Sequence, residues 1–128
     1  MSLSQTEENY LKAIFKISGR DNAIVSTSAI AEAMSTAAAS VTDMLKRLTE
    51  KKYVLYVKYK GARLSEEGKA VAIDLLRKHR LWETFMVDKL NFSWDEVHVV
   101  AEQLEHIQSP KLIAVSYTHL TLPTTPYV

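Results

Sequence analysis

Three of the four histidines in this 128-residue chain stand with three glutamates at helical spacing. His98, Glu102, Glu105 and His106 are separated by four, three and one positions, so all four fall on one face of a helix predicted over Ser93–Gln108. His79 and Glu83 repeat the four-residue step on the helix before it. Imidazole and carboxylate together suit a borderline divalent cation such as Mn²⁺, Fe²⁺, Co²⁺, Ni²⁺ or Zn²⁺. With 0 Cys, the chain has no thiolate ligand, disulfide, zinc ribbon or thiol nucleophile. One His–Glu pair alone is an ordinary helix-surface ion pair, worth about a few tenths of a kcal/mol. Its recurrence on two consecutive helices is what favours a metal, held in one site or two. No Gly-rich phosphate loop and no nucleophile beside a base accompany these groups, so an enzyme is not expected.

A second chemistry lies upstream. From Lys46 to Arg63 there are seven basic residues against Glu50 alone, whereas from Glu83 to Glu105 there are six acids against Lys89 alone. The net charge of +1 hides this split, which suits two partners of opposite sign: nucleic acid for the basic half and a cation for the acidic one.

The elements that must position these groups are mostly helices. Only 3 Gly and 3 Pro argue against a sandwich or a linker-rich chain, and 47% hydrophobic residues support one packed domain or two small units. Thr6–Ser18 is predicted as a first helix capped by Thr6, with Tyr10, Leu11, Ile14, Phe15 and Ile17 as its apolar stripe. After a Gly19–Asn22 loop, Ser26 or Thr27 caps a short helix running to Met34. A third helix follows from about Ala38 to Lys52 with Val41, Met44, Leu45 and Leu48 inward. Tyr53–Val57, a turn at Gly61, and Ala62–Leu64 read as a two-stranded hairpin. Ser65-Glu66-Glu67 opens a long helix to Asp88 or Lys89, Ser93 caps the next, and Ser109-Pro110 begins one more.

Three short helices and a basic hairpin make a winged helix-turn-helix, whose third helix offers its N-terminal residues to the major groove. The candidate DNA contacts there are Ala37, Ala39, Ser40, Thr42 and Asp43, joined by Thr27 at the start of the second helix. Lys46 and Arg47, one turn on, favour phosphate. Lys58, Lys60 and Arg63 place the wing on the flanking backbone, with Tyr56 and Tyr59 interleaved.

Thr6-Glu7-Glu8-Asn9-Tyr10-Leu11, Ile30-Ala31-Glu32-Ala33, Ser40-Val41-Thr42, Leu64-Ser65-Glu66-Glu67-Gly68, Arg77-Lys78-His79-Arg80-Leu81 and Glu102-Gln103-Leu104-Glu105-His106 follow one another in this order. Over Thr6 to about Ile113 the chain thereby resembles the iron- and manganese-dependent repressors, the diphtheria-toxin-repressor and manganese-transport-regulator group. The resemblance implies a winged helix-turn-helix domain over 1–65 and a helical metal-binding and dimerisation domain over 66–113. It implies Glu102, Glu105 and His106 as ligands, with His79, and a second site of His79, Glu83 and His98. A further ligand from the first helix corresponds to Asn9, which offers a carbonyl oxygen. Manganese-selective members carry a carboxylate there and another one turn later, where this chain has Lys12. The implied function is a homodimeric repressor of metal-uptake genes, activated by Mn²⁺ or Fe²⁺ and bound to a palindromic operator in double-stranded DNA, with no organic cofactor.

Two other functions fit parts of the pattern: a winged-helix regulator that senses a small organic ligand, and a metal-dependent enzyme whose cation faces a substrate. No stretch approaches ~20 apolar residues, and Met1–Lys12 lacks a signal peptide's basic start and apolar run, which predicts a cytoplasmic protein without membrane contact. Leu112–Val128 contains no charged residue, although charged residues make up 24% of the chain. Residues 114–128 therefore read as a disordered or non-native tail, and the chain as cut short near Ile113.

Overall fold

A computed structural model describes residues 3–118, and most of the expected tail lies outside the described residues. The chain divides into two compact units, one ending at Ala72 and the other beginning at Ile73. The elements run α1 (Gln5–Ser18), α2 (Thr27–Met34), α3 (Ala38–Glu50), β1 (Val54–Val57), β2 (Gly61–Leu64), α4 (Glu66–Leu90), α5 (Trp94–Leu104) and α6 (Pro110–Thr118). The expected architecture, mainly helical with a winged helix-turn-helix at the N-terminal end, is what forms. Among the described residues no helix is long and apolar enough to cross a membrane.

In the first unit the apolar stripes predicted from period 3.6 do face inward. Tyr10, Leu11 and Ile14 of α1, Ile30 of α2 and Val41, Met44, Leu45 and Leu48 of α3 share one core with Val25, Val54, Ala62 and Leu64. Phe15 packs at its margin, while Ile17 is exposed. Strands β1 and β2 pair antiparallel with Val54 opposite Leu64 and Val57 opposite Gly61. Val25 adds a short third rung on the far edge: its amide donates to Ala62 O at 2.7 Å and its carbonyl accepts from the Ala62 amide at 2.9 Å. That rung was not visible in the sequence. Gly61 is also not the turn residue but the first residue of β2. A Cβ there would lie 1.9 Å from Val25 O, so only glycine lets the rung close. The turn itself is Val57–Lys60, closed by the Lys60 amide on Val57 O at 3.0 Å.

The cap of α1 is Ser4 rather than Thr6. Ser4 Oγ accepts from the Glu7 amide at 3.1 Å and Glu7 Oε1 accepts from the Ser4 amide at 2.8 Å, a reciprocal capping box. The same carboxylate receives Lys51 Nζ at 2.7 Å, which ties the start of α1 to the end of α3. Burial pushes the Glu7 carboxyl up, but Lys51 and the Ser4 donors outweigh it and hold the group below its ordinary range. A carboxyl depressed in the folded state stabilises above its unfolded pKa and ceases to as pH falls through the folded value. Glu7→Gln should therefore cost about 1 to 2 kcal/mol at pH 7. The difference from wild type should shrink on acidification below about pH 4, read as two denaturant titrations. An equal difference at pH 7 and pH 3 would contradict the assignment.

In the second unit, α4 closes with Asn91 at φ 59° and the Phe92 amide on Met86 O at 3.1 Å, a left-handed stop that asparagine tolerates well. Glu96 accepts from the Ser93 amide and hydroxyl at 3.0 and 2.8 Å and so fixes the start of α5, as expected. Trp82, Met86, Val97 and Ala101 form a small core flanked by Phe85, Val87, Phe92, Val100, Leu104 and Ile113. Two expectations change here. Helix α5 ends at Leu104, not near Gln108, because Pro110 would crowd the His106 carbonyl if the helix continued, and the chain tightens through the Ile107 amide on Leu104 O at 3.0 Å. Helix α6, with the Leu112 amide on Ser109 Oγ at 3.2 Å, carries on through Ala114–Thr118, the first residues of the expected tail.

Candidate functional site

The candidate metal-ligating side chains stand on α4, on α5 and just after it. Along α4, His79 and Glu83 stand one turn apart, and along α5 His98 and Glu102 do the same. His79 Nε2 lies 3.2 Å from Glu83 Oε2, His98 Nδ1 lies 3.6 Å from that same oxygen, and His98 Nε2 lies 3.1 Å from Glu102 Oε1. The two imidazoles meet edge to face at 4.9 Å. One donor atom each from His79, Glu83 and His98 falls within 4.8 Å of the others.

Glu105 keeps helical dihedrals and its amide donates to Ala101 O at 2.9 Å, so it continues the buried row of Val97 and Ala101 one turn on, beside the exposed row of His98 and Glu102. The four residues thus differ in burial, although His98 and Glu105 both reach His79, as their spacing on one helix suggested. His98 and Glu102 are exposed, whereas Glu105 is fully buried and His106 nearly so. Glu105 reaches both histidines: its Oε1 lies 2.7 Å from His79 Nδ1, and its Oε2 lies 3.9 Å from His106 Nε2. His79 therefore joins two groups of ligand-type residues, Glu83 and His98 on one side and Glu105 and His106 on the other. Spacing alone does not give this junction, since 26 positions separate His79 from Glu105, whereas the family resemblance implies it by grouping His79 with Glu102, Glu105 and His106.

The junction also fixes the chemistry. His79 sits between two carboxyls, with Nδ1 2.7 Å from Glu105 Oε1 and Nε2 3.2 Å from Glu83 Oε2, so both ring nitrogens face oxygen atoms. Nitrogen and oxygen donors without thiolate match a borderline divalent cation, and a carboxylate behind a ligating imidazole is the usual way its orientation is set. The donor set fits the expected metal. Asn9, half-buried on α1, belongs to the first unit.

The candidate nucleic-acid surface is in the first unit. With Val41, Met44, Leu45 and Leu48 buried, α3 exposes Ala37, Ala39, Ser40, Asp43, Lys46 and Arg47. No side chain caps its start at Ala37, and its small first residues let a phosphate or base approach the helix N-terminus closely. Thr42 is half-buried and its hydroxyl donates to Ala38 O at 3.2 Å, which leaves it as an acceptor only. Thr27, also half-buried, is the first residue of α2, whose cap is Ser26, with its Oγ receiving the Ala29 amide at 3.1 Å. Lys58, Lys60 and Arg63 are exposed along the wing, and Tyr56 is half-buried.

Comparison with known proteins identifies the family of both domains. Residues 2–62 match the family model "Iron dependent repressor, N-terminal DNA binding domain" and residues 65–125 match "Iron dependent repressor, metal binding and dimerisation domain". An uncharacterized HTH-type transcriptional regulator of Methanocaldococcus jannaschii is 31% identical over 111 residues, 87% of this chain and 89% of that one. The iron-dependent repressor IdeR of Mycobacterium bovis is 30% identical over 123 residues, 96% of this chain and 53% of that protein. The solved structure of the manganese regulator SloR superposes with a TM-score of 0.76 at 39% identity, over 96% of this chain and 56% of SloR. The chain thus spans about half the length of IdeR and of SloR. Two family models laid end to end, and a relative matched over nearly its full length, place the chain in the iron-dependent repressor family.

Proposed function

We propose that the chain is a metal-activated, DNA-binding transcriptional regulator, acting as a cytoplasmic homodimer that represses metal-uptake genes. It is not an enzyme. Residues 1–65 bind the operator and residues 66–113 hold the metal and the dimer contact. The observation that carries this is the junction at His79, where Glu83 and His98 meet Glu105 and His106 through one imidazole. Mn²⁺ or Fe²⁺ would be held by His79, Glu83 and His98, and by Glu102, Glu105 and His106. Bound there, the cation would supply positive charge to a cluster of carboxylates and imidazoles. The names of IdeR and SloR, an iron-dependent repressor and a manganese regulator, support the same metals.

On the DNA side, Ala37, Ala39, Ser40, Thr42 and Asp43 present small groups and short polar groups to base edges, and Thr27 adds a contact from α2. Lys46, Arg47, Lys58, Lys60 and Arg63 hold phosphates. Two copies related by a two-fold axis read a palindrome. Metal and operator each raise the other's affinity by the same factor.

Selection from a random duplex library tests this, run in parallel with excess Mn²⁺, with anaerobic Fe²⁺ and with chelator. A palindrome enriched only with metal is expected. Lys46→Ala should weaken every selected duplex about equally and lower the salt slope by about 1. Equal enrichment under chelator would contradict metal activation and favour an organic effector.

A further inference from the structure

The residue before His79 is held in a way that neither metal ligation nor core packing explains. Lys78 is only 6% exposed, unusual for a lysine, and its ammonium meets two partners. Asp74, one turn earlier on α4 and largely exposed, approaches Nζ at 2.9 Å and balances the charge. On the other side Nζ donates to the carbonyl oxygen of Ile107 at 3.3 Å, across 29 positions of sequence. An ammonium stays buried only when it is paired and hydrogen-bonded in this manner.

Ile107 directly follows the Glu105-His106 pair. The backbone there turns tightly, with the His106 amide on Gln103 O at 3.5 Å and the Ile107 amide on Leu104 O at 3.0 Å. The Ile107 carbonyl cannot be closed by a turn of the same kind, because the donor would be Pro110, which has no amide hydrogen. It takes its hydrogen from a side chain of α4 instead. We propose that Lys78 is a positioning residue for the metal centre: it clamps the turn after His106, so that Glu105 and His106 are held in register with His79 before a cation arrives. Charge alone would act in the opposite direction. An ammonium beside a ligand repels a divalent cation, so removing a lysine that contributed only its charge would tighten metal binding. The clamp rests on the proposed metal binding and adds a residue that sets affinity without touching the cation.

The test is a mutant cycle on the full chain, read by competition for Mn²⁺ against a fluorescent chelator. Lys78→Met keeps an unbranched apolar stem in the same space and removes the donor. It is expected to weaken Mn²⁺ binding about tenfold, the usual cost of losing a group that orients a ligand. Lys78→Arg, which keeps the charge and the donors, should restore most of that affinity. The decisive comparison adds Lys78→Met to a chain already carrying Glu105→Gln and His106→Ala. The donors that the clamp positions are gone there, so the further loss at His79, Glu83 and His98 should be less than about twofold. A tenfold loss in both backgrounds would show that Lys78 supports only the fold, and unchanged or tighter binding by the single Lys78→Met chain would show that the clamp sets nothing. Either result overturns the positioning role alone. A wild-type chain that takes up no Mn²⁺ would instead overturn the metal binding on which the clamp rests.

Discussion

Replacing His79 by alanine is expected to weaken Mn²⁺ binding by about a hundredfold or more, a larger loss than at any other single ligand. The reason is its double engagement. Nε2 faces Glu83 at 3.2 Å and Nδ1 meets the buried Glu105 at 2.7 Å, so alanine removes a donor atom and also the group that orients Glu105. Glu102 makes a contrast. It is half exposed and lies 3.1 Å from the outer nitrogen of His98, so Glu102→Ala should cost only about tenfold. A competition titration against a fluorescent chelator gives both numbers. His79→Gln separates the two roles of the imidazole, because an amide can still donate to Glu105 but is a poor ligand. Affinity restored to the wild-type level by glutamine would show that His79 acts only through Glu105. A His79→Ala loss no greater than that of Glu102→Ala would contradict its place at the junction.

The ranking of those two residues was not available from spacing alone. Spacing counted His98, Glu102, Glu105 and His106 as equals on one face, since each step of three or four is what a continuous helix needs. What broke the equivalence was burial, since Glu105 follows Val97 and Ala101 at intervals of four on the buried side of α5 while His98 and Glu102 lie on the exposed side. By contrast, the inward face of α3 and most of that of α1, Ile17 excepted, were legible, because Leu11 and Ile14, or Val41, Leu45 and Leu48, repeat at helical period with polar residues between them. The hairpin was legible from β-branched and aromatic residues over Tyr53–Val57. The cap was misread between two available signals: Ser4 stands three residues before Glu7, which is the reciprocal box, while Thr6 merely precedes acidic residues. Long-range pairing left no local trace at all. Neither Val25 opposite Ala62 nor Glu105 opposite His79 follows from any pattern within a window of the chain.

The Val25 rung leads to the second large effect. Gly61→Ala is expected to destabilise the first unit by about 3 kcal/mol or more, through a named clash and not through loss of any side chain. At φ 132° the backbone of Gly61 lies where non-glycine residues are strongly disfavoured, and the added Cβ would sit 1.9 Å from Val25 O and 2.7 Å from its carbonyl carbon. Both obstacles are backbone atoms held by the two Val25–Ala62 hydrogen bonds, so neither can swing aside as a side chain would. Relief requires β2 to part from Val25, which would open the edge of the core beside Ala62 and Leu64 and loosen the wing. Gly19→Ala is the control. It also has positive φ, at 69° with ψ −160°, a region nearly reserved for glycine, but a Cβ there meets nothing within 4 Å, so the cost should be only that backbone penalty of about 1 to 3 kcal/mol. For a unit of this size the two variants should differ in melting temperature by roughly 5 °C or more. Equal melting temperatures would mean that the Val25 rung yields at little cost and that Gly61 serves only its backbone angle. The same pair links the fold to DNA binding, because Gly61 directly follows Lys58, Tyr59 and Lys60. Gly61→Ala should therefore weaken duplex binding even at temperatures where α3 remains folded, and Gly19→Ala should leave it unchanged.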